Sequence, residues 1–318
     1  MVIRKSIPLR WLLFYNWPTL LIVNLVAVLA VVLKKYYGIV IEMPITTVTV
    51  FAAALSIYLG FRSNNAYDRW WEARIIWGSF INSSRAWARQ VTTLLEASDV
   101  VDERELATVK RELILRHIAF ANALRVFLRG SRSVAHETVR ELYRASNSYE
   151  DMRPFLTEEE YEQVVACNNP PNMLLQHQGE RLAELAAAGV LTDYRLVHLD
   201  DTIVEFNNVQ GRSERIKNTA FLRTYSWFQR VFVWTHGIIV PFAYVNQLGW
   251  STVPIAFVLN YVFISIDFVS SRTEDPFENR YDDVPLSSIC RTIEINLLEV
   301  LDEKPLPPRL APVDGILF

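Results

Sequence analysis

Charged residues vanish from three stretches of this chain and crowd into the remainder. Trp11–Leu33 is 23 residues without Asp, Glu, Lys or Arg, lying between Arg10 and the pair Lys34–Lys35. Met43–Phe61 is another 19, between Glu42 and Arg62. Val231–Ile266 continues for 36, with His236 its one imidazole. A helix needs about 20 apolar residues to cross the hydrocarbon of a bilayer. The first two stretches therefore predict one span each. The third overshoots a single crossing and predicts two, broken near Asn246-Gln247-Leu248-Gly249. Four spans are expected, at roughly 12–33, 43–61, 229–246 and 250–269. The first exceeds the h-region of a signal peptide, about 7–15 residues, and no small-residue cleavage site precedes Lys34.

Between and after these stretches the periodicity is helical. Ala66, Trp70, Ala73, Trp77, Phe80, Ser84, Trp87 and Val91 recur at three- and four-residue steps, so the second span continues past 90 as an amphipathic helix. A further run, Leu106–Phe127, stops at Gly130. Asn168 and Asn169 can cap the next helix, Pro170 and Pro171 suit its first turn, and Gly189 suits the position just past its end. Another helix is expected over 192–216, and a last one from Pro285 with Leu286, Ile289, Ile293, Leu297 and Leu301 on one face. The proline-rich tail 303–318 either wraps or dangles. No strand-like alternation or repeat occurs. The predicted fold is all-α, one domain over 1–318, with cytoplasmic helical parts at 62–228 and 270–318.

Composition sharpens this division. Hydrophobic residues are 51% of the 318 and charged residues 21%, at a mean hydropathy of +0.13. Only 10 residues are Gly, as long helices require. The net charge of −3 gives no basis for a nucleic-acid surface. Segment 62–228 holds 21 of the 32 basic residues, and Arg4, Lys5 and Arg10 precede the first span. The turn at 246–249 has none. By the positive-inside rule both termini and the middle segment are cytoplasmic, in a multi-pass protein of the plasma or cell inner membrane. Cys167 and Cys290 then face a reducing compartment as free thiols.

Catalytic signatures are missing: there is no G-x-S-x-G, H-E-x-x-H, P-loop or C-x-x-C. The five histidines are scattered, so no cofactor or metal site is predicted. His236, inside a span, reads as a hydrogen-bonded packing residue. An embedded enzyme would need paired carboxylates or histidines in the spans, whereas Asp267 stands alone near a span end. The acidic group Glu274, Asp275, Glu278, Asp282 and Asp283 lacks the alternating ligands and glycine of an EF-hand and reads as solvated or helix-capping.

Beyond the second span lies Leu59-Gly60-Phe61-Arg62-Ser63-Asn64-Asn65-Ala66-Tyr67-Asp68-Arg69-Trp70-Trp71-Glu72-Ala73-Arg74. It reads as a membrane-exit helix with aromatic residues at headgroup depth. Arg62, Arg69 and Arg74 face water or pair with Asp68 and Glu72. The string resembles the signature of the bestrophin family of ion channels. Ile7-Pro8-Leu9-Arg10-Trp11 fits the family's N-terminus. Gly211–Thr219, Asp275-Pro276-Phe277, Asp282–Leu286 and Cys290–Glu294 resemble its bacterial branch.

The resemblance implies a homopentamer in the lipid bilayer, passing monovalent ions through a central pore lined by the second span. Three bulky apolar positions a turn apart form the family's neck. Counting back in fours from Phe61 gives Ile57 and Ala53, which the helical repeat stacks on one face. Ala53 is smaller than the residue usual there and predicts a wider, wetter ring. A second, cytoplasmic constriction aligns with Tyr194. Animal members carry a calcium clasp, but here the run is Glu278-Asn279-Arg280-Tyr281-Asp282-Asp283, and Arg280 puts a cation where a carboxylate is needed. No calcium activation is expected. The bacterial branch is associated with cations and the animal one with anions, so cations are slightly favoured and anion selectivity is the alternative. A membrane-anchored interaction or regulatory protein is the rival of another class, and four spans fit a pore better than a tether.

Overall fold

The computed structural model describes residues 1, 9–39, 41–130, 147–219, 223–312 and 315–317. Ile7 and Pro8 of the N-terminal string lie outside them. The fold is all-α, and the described residues contain no β-strand. The described residues form nine α-helices, in chain order α1 (Leu9–Tyr37), α2 (Ile45–Leu94), α3 (Glu103–Arg129), α4 (Glu158–Val165), α5 (Pro170–Ala187), α6 (Asp193–Asn218), α7 (Arg223–Leu248), α8 (Thr252–Thr273) and α9 (Leu286–Val300). The short 3₁₀ turn Tyr149–Phe155 and α4 have no counterpart in the sequence-based reading. Their pattern is only a few residues long.

Punctuation follows the expected chemistry. Asn169 caps α5 by accepting from the Asn172 N–H, Thr192 caps α6 through the Arg195 N–H, and Asp102 caps α3 through the Arg104 and Glu105 N–H groups. The apolar stretch Thr224–Thr273 folds back on itself at Gly249–Ser251. Gly249 sits there at φ +52°, a conformation that suits a residue without Cβ. Gln229 lies opposite Asp267 and His236 opposite Asn260, so α7 and α8 form an antiparallel hairpin. Among the described residues three stretches are long and apolar enough to cross a membrane: Asn16–Tyr37, Ile45–Leu94 and Thr224–Thr273. The last is this hairpin, and each arm is itself of spanning length.

The chain divides into two compact units. One comprises Arg4–Trp70 and Ala220–Asp275. Its core has two levels: Leu20, Val23, Leu55, Leu59, Val233 and Ile264 at one, and Ala27, Val48, Val240, Ala243 and Ala256 at the other. Numbers rise from the first level to the second in α1 and α7 and fall in α2 and α8, so sequence neighbours run antiparallel. Apolar area alone drives little association in lipid, where close packing and interhelical hydrogen bonds matter more. The His236 imidazole meets Asn260 Oδ1 at 3.2 Å, as a packing histidine should. At the far end of α1, Lys34 Nζ donates to the Val245 and Asn246 carbonyls at 3.0 and 2.9 Å, satisfying the last turn of α7.

The other unit comprises Met1–Ile3, Trp71–Thr219 and Pro276–Phe318. Its centre is His117 of α3, wholly buried among Phe80, Trp87, Phe120 and Phe206, with Nε2 2.9 Å from Ser84 Oγ. Burial pushes its pKa down to about 3, so the ring is neutral. Arg116, also on α3, is paired to Glu160 of α4 at 2.5 Å. Cys290 is buried on α9 with its pKa raised to about 11 by that burial, an inert thiol. The tail is tied at two points: Glu303 pairs with Arg111 at 2.7 Å, and the Met1 amine donates to the Leu317 carbonyl.

One close approach makes a sharp prediction. A Cβ on Gly237 of α7 would stand 2.7 Å from Val23 Cγ1 of α1, a side chain that is 1% exposed. Gly237→Ala should cost about 1–3 kcal/mol and lower the thermal unfolding midpoint in detergent. Adding Val23→Ala should restore much of it. An unshifted midpoint for the single variant would contradict the contact.

Candidate functional site

The first half of α2 has two faces. Val48, Leu55, Leu59, Arg62 and Ala66 follow a three-, four- and seven-residue spacing and are all buried within their unit. The other face is apolar yet uncovered. Val50 is 70% exposed, Ile57 63% and Phe61 62%, with Ala53 exposed between them. The three predicted neck residues thus share one unpartnered face of one continuous helix. A soluble helix would carry polar groups there.

Arg62, directly after Phe61, points the other way. It is 1% exposed. Its Nε and Nη2 each lie 2.5 Å from Glu274 Oε1, and its Nη1 donates to Asp267 Oδ1 at 2.9 Å. Gln229 Nε2 donates to the same Asp267 oxygen at 2.9 Å. Ser63 Oγ and Ser270 Oγ are 2.6 Å apart one residue further along α2. Asp267 on α8 and Glu274, the residue just past its end and still helical in conformation, lie two turns apart, so both reach one guanidinium. The expectation that Arg62 faces water or pairs with Asp68 or Glu72 is corrected here: its partners come from more than 200 residues downstream. Asp267 likewise does not stand alone. Glu72 pairs instead with Arg215 at 2.5 Å. The signal available in the sequence was the seven-residue step Asn260, Asp267, Glu274 along α8, which places three polar groups on one face of an apolar helix.

Tyr194 lies in the first turn of α6, 75% exposed, its ring edge-on to His198 at 4.7 Å. No other described residue of its unit covers it. The acidic group is less solvated than expected. Glu274 is 7% exposed against Arg62, and Asp283, 2% exposed, accepts from the Arg280 backbone N–H at 2.9 Å. Glu278 meets Lys217 Nζ at 2.5 Å. These carboxylates are held by cations and backbone donors of the same chain. Among the described residues no group of three or more His, Cys, Asp or Glu side chains is disposed to hold a metal.

Residues 14–299 match the family model described as Bacterial/Fungal Bestrophin protein. The chain belongs to the bestrophin family. Relatives of this bestrophin include the voltage-dependent anion channel-forming protein YneE of Escherichia coli O157:H7, 33% identical over 92% of this chain and 89% of that one. The Salmonella typhi protein of the same name is 31% identical over the same shares. Among solved structures, a bacterial bestrophin homolog from Klebsiella pneumoniae superposes with a TM-score of 0.77 at 28% identity, covering 90% of this chain and 98% of its own.

The Arg62 cluster predicts a measurable asymmetry. Arg62→Ala leaves two buried carboxylates without their cation and should cost on the order of 3–5 kcal/mol, read as a large drop in thermal stability in detergent. Removing all three charges together, in Arg62→Met with Asp267→Asn and Glu274→Gln, should recover most of that loss. A single variant melting like the parent chain would show that the pairing carries no stability.

Proposed function

We propose that this bestrophin is one subunit of a homopentameric ion channel in a bacterial plasma membrane, with α2 of each subunit lining a central pore. The observation that carries this reading is the uncovered apolar face of α2 at Ala53, Ile57 and Phe61, within an uncharged stretch of spanning length. Five copies stack those side chains into three rings, a neck from which water and ions withdraw unless it widens. Ala53 makes the first ring the widest. Tyr194 forms a second, cytoplasmic constriction that offers hydroxyls to a dehydrating ion. α1, the first part of α2, α7 and α8 make four crossings, with both termini cytoplasmic, and the whole chain acts as one functional unit. The protein is a conduit and not an enzyme, and no metal or cofactor enters its operation.

On selectivity, relatives whose names describe anion channel formation favour anions. That favours the alternative over the cation preference expected from the bacterial branch, which has no comparable support. The rings themselves are uncharged and leave the sign to residues outside them. Calcium activation is not part of the reading, because Glu274, Glu278 and Asp283 already have partners.

In planar bilayers Ala53→Ile should lower single-channel conductance severalfold by narrowing the first ring. Unchanged conductance would remove Ala53 from the pore. With the unaltered chain, a salt gradient should place the reversal potential nearer the anion's equilibrium value, and a cation-side value would overturn the anion assignment. Micromolar calcium should leave open probability unchanged, and a rise would show that Glu274, Glu278 and Asp283 give up their partners to the ion.

A further inference from the structure

Between Ile45 and Trp70, α2 carries three charged side chains: Arg62, Asp68 and Arg69. Arg62 is enclosed and neutralised by Asp267 and Glu274. Arg69 is partly buried and engaged. Asp68 alone is exposed, and no hydrogen bond or ion pair reaches its carboxylate from the described residues. It follows Phe61 by seven residues, which is two helical turns less about 20° and about 10 Å along the axis. Asp68 therefore continues the stripe of Ala53, Ile57 and Phe61, past the exposed and uncharged Asn64 and Asn65. It is the first charge that stripe meets.

We propose that Asp68 contributes a cation-favouring bias at this mouth of the neck, which tempers the anion preference of the whole pore. The inference rests on α2 lining the pore. In the pentamer five carboxylates then ring the entrance about two turns beyond Phe61. A ring of like charges between low-dielectric walls focuses its field, enriching cations and depleting anions. The cation nearest in sequence to Phe61 does not oppose this field, because its charge is spent in the Arg62 cluster. The neck would thus act as an unsigned barrier to all ions, and Asp68 as the signed filter in series with it. Whichever ion dominates in the intact protein, the carboxylate pushes the balance towards cations.

The test uses the full-length channel in planar bilayers under a potassium chloride gradient. Asp68→Asn should move the reversal potential towards the chloride equilibrium value, raising the chloride-to-potassium permeability ratio roughly fivefold. Asp68→Lys should move it further, and Asp68→Glu should leave it near the starting value. The difference between parent and Asp68→Asn should shrink when both solutions are concentrated tenfold at constant ratio, as the screening length falls from about 10 Å at 0.1 M to about 3 Å at 1 M. A residue that merely braced the assembly would alter oligomer size and not the reversal potential. A conducting Asp68→Asn channel with an unchanged reversal potential overturns the proposal. Should that variant fail to assemble, the salt series on the parent channel decides, and a permeability ratio independent of ionic strength overturns it. Absence of current from the parent chain would instead sink the pore reading beneath it.

Discussion

A guanidinium withdrawn from water must be matched, and much of the helical bundle around Arg62 is arranged to match it. An unpaired buried charge costs several kcal/mol, so the side chain can sit 1% exposed only if carboxylates arrive with the right geometry. Asp267 and Glu274 do so because α8 and the capping residue at its end offer them two turns apart, and Gln229 of α7 holds one of them in place. Three helices are thereby fixed in rotation as well as in distance. With Arg62 turned inwards, the helical repeat leaves Ala53, Ile57 and Phe61 facing away from their own bundle. The buried cation and the uncovered apolar stripe are two results of one orientation.

Much of the architecture was legible because it follows from local rules. Uncharged length marked the apolar helices, and the break at Gly249 was visible as an overlong run with polar residues in its middle. Asn169, Pro170, Pro171 and Gly189 announced α5 by the ordinary chemistry of helix ends. Less was legible where partners are distant. Nothing near Arg62 in the sequence reveals that it pairs with residues at 267 and 274, and the nearer Asp68 and Glu72 were the natural but wrong choices. The acidic stretch after α8 was likewise misread as solvated, because its cations, Arg62 and Lys217, come from elsewhere in the chain. Helix α4 was missed for another reason: eight residues are too few to display a period.

The four-residue step from Ala53 to Ile57 to Phe61 makes the stripe visible in the sequence, yet leaves its uncovered state invisible. Periodicity states which residues share a face and is silent on what that face meets. Val50, Ile57 and Phe61 have the composition of a core and the exposure of a surface, a combination stable in lipid or against further subunits and costly in water. By contrast, the equally apolar neighbours Leu55 and Leu59 are taken up within the chain. Side chains two residues apart on one helix thus serve different ends, and none of them carries charge.

Two anchors close the bundle at opposite ends, Lys34 on the last carbonyls of α7 and Arg62 on α8, and each joins positions more than two hundred residues apart. A ribosome adding 5–20 residues per second needs about 10–40 s to bridge that interval. For that time α1 and α2 are present while their polar partners do not yet exist. Both cations lie at the ends of uncharged stretches, where a long side chain can reach the interface and stay hydrated. On the channel reading, the first two helices would then wait in the membrane at little cost, and the later hairpin, on arrival, would replace water with carboxylates and carbonyls. The placement of these two charges gives assembly a direction in time.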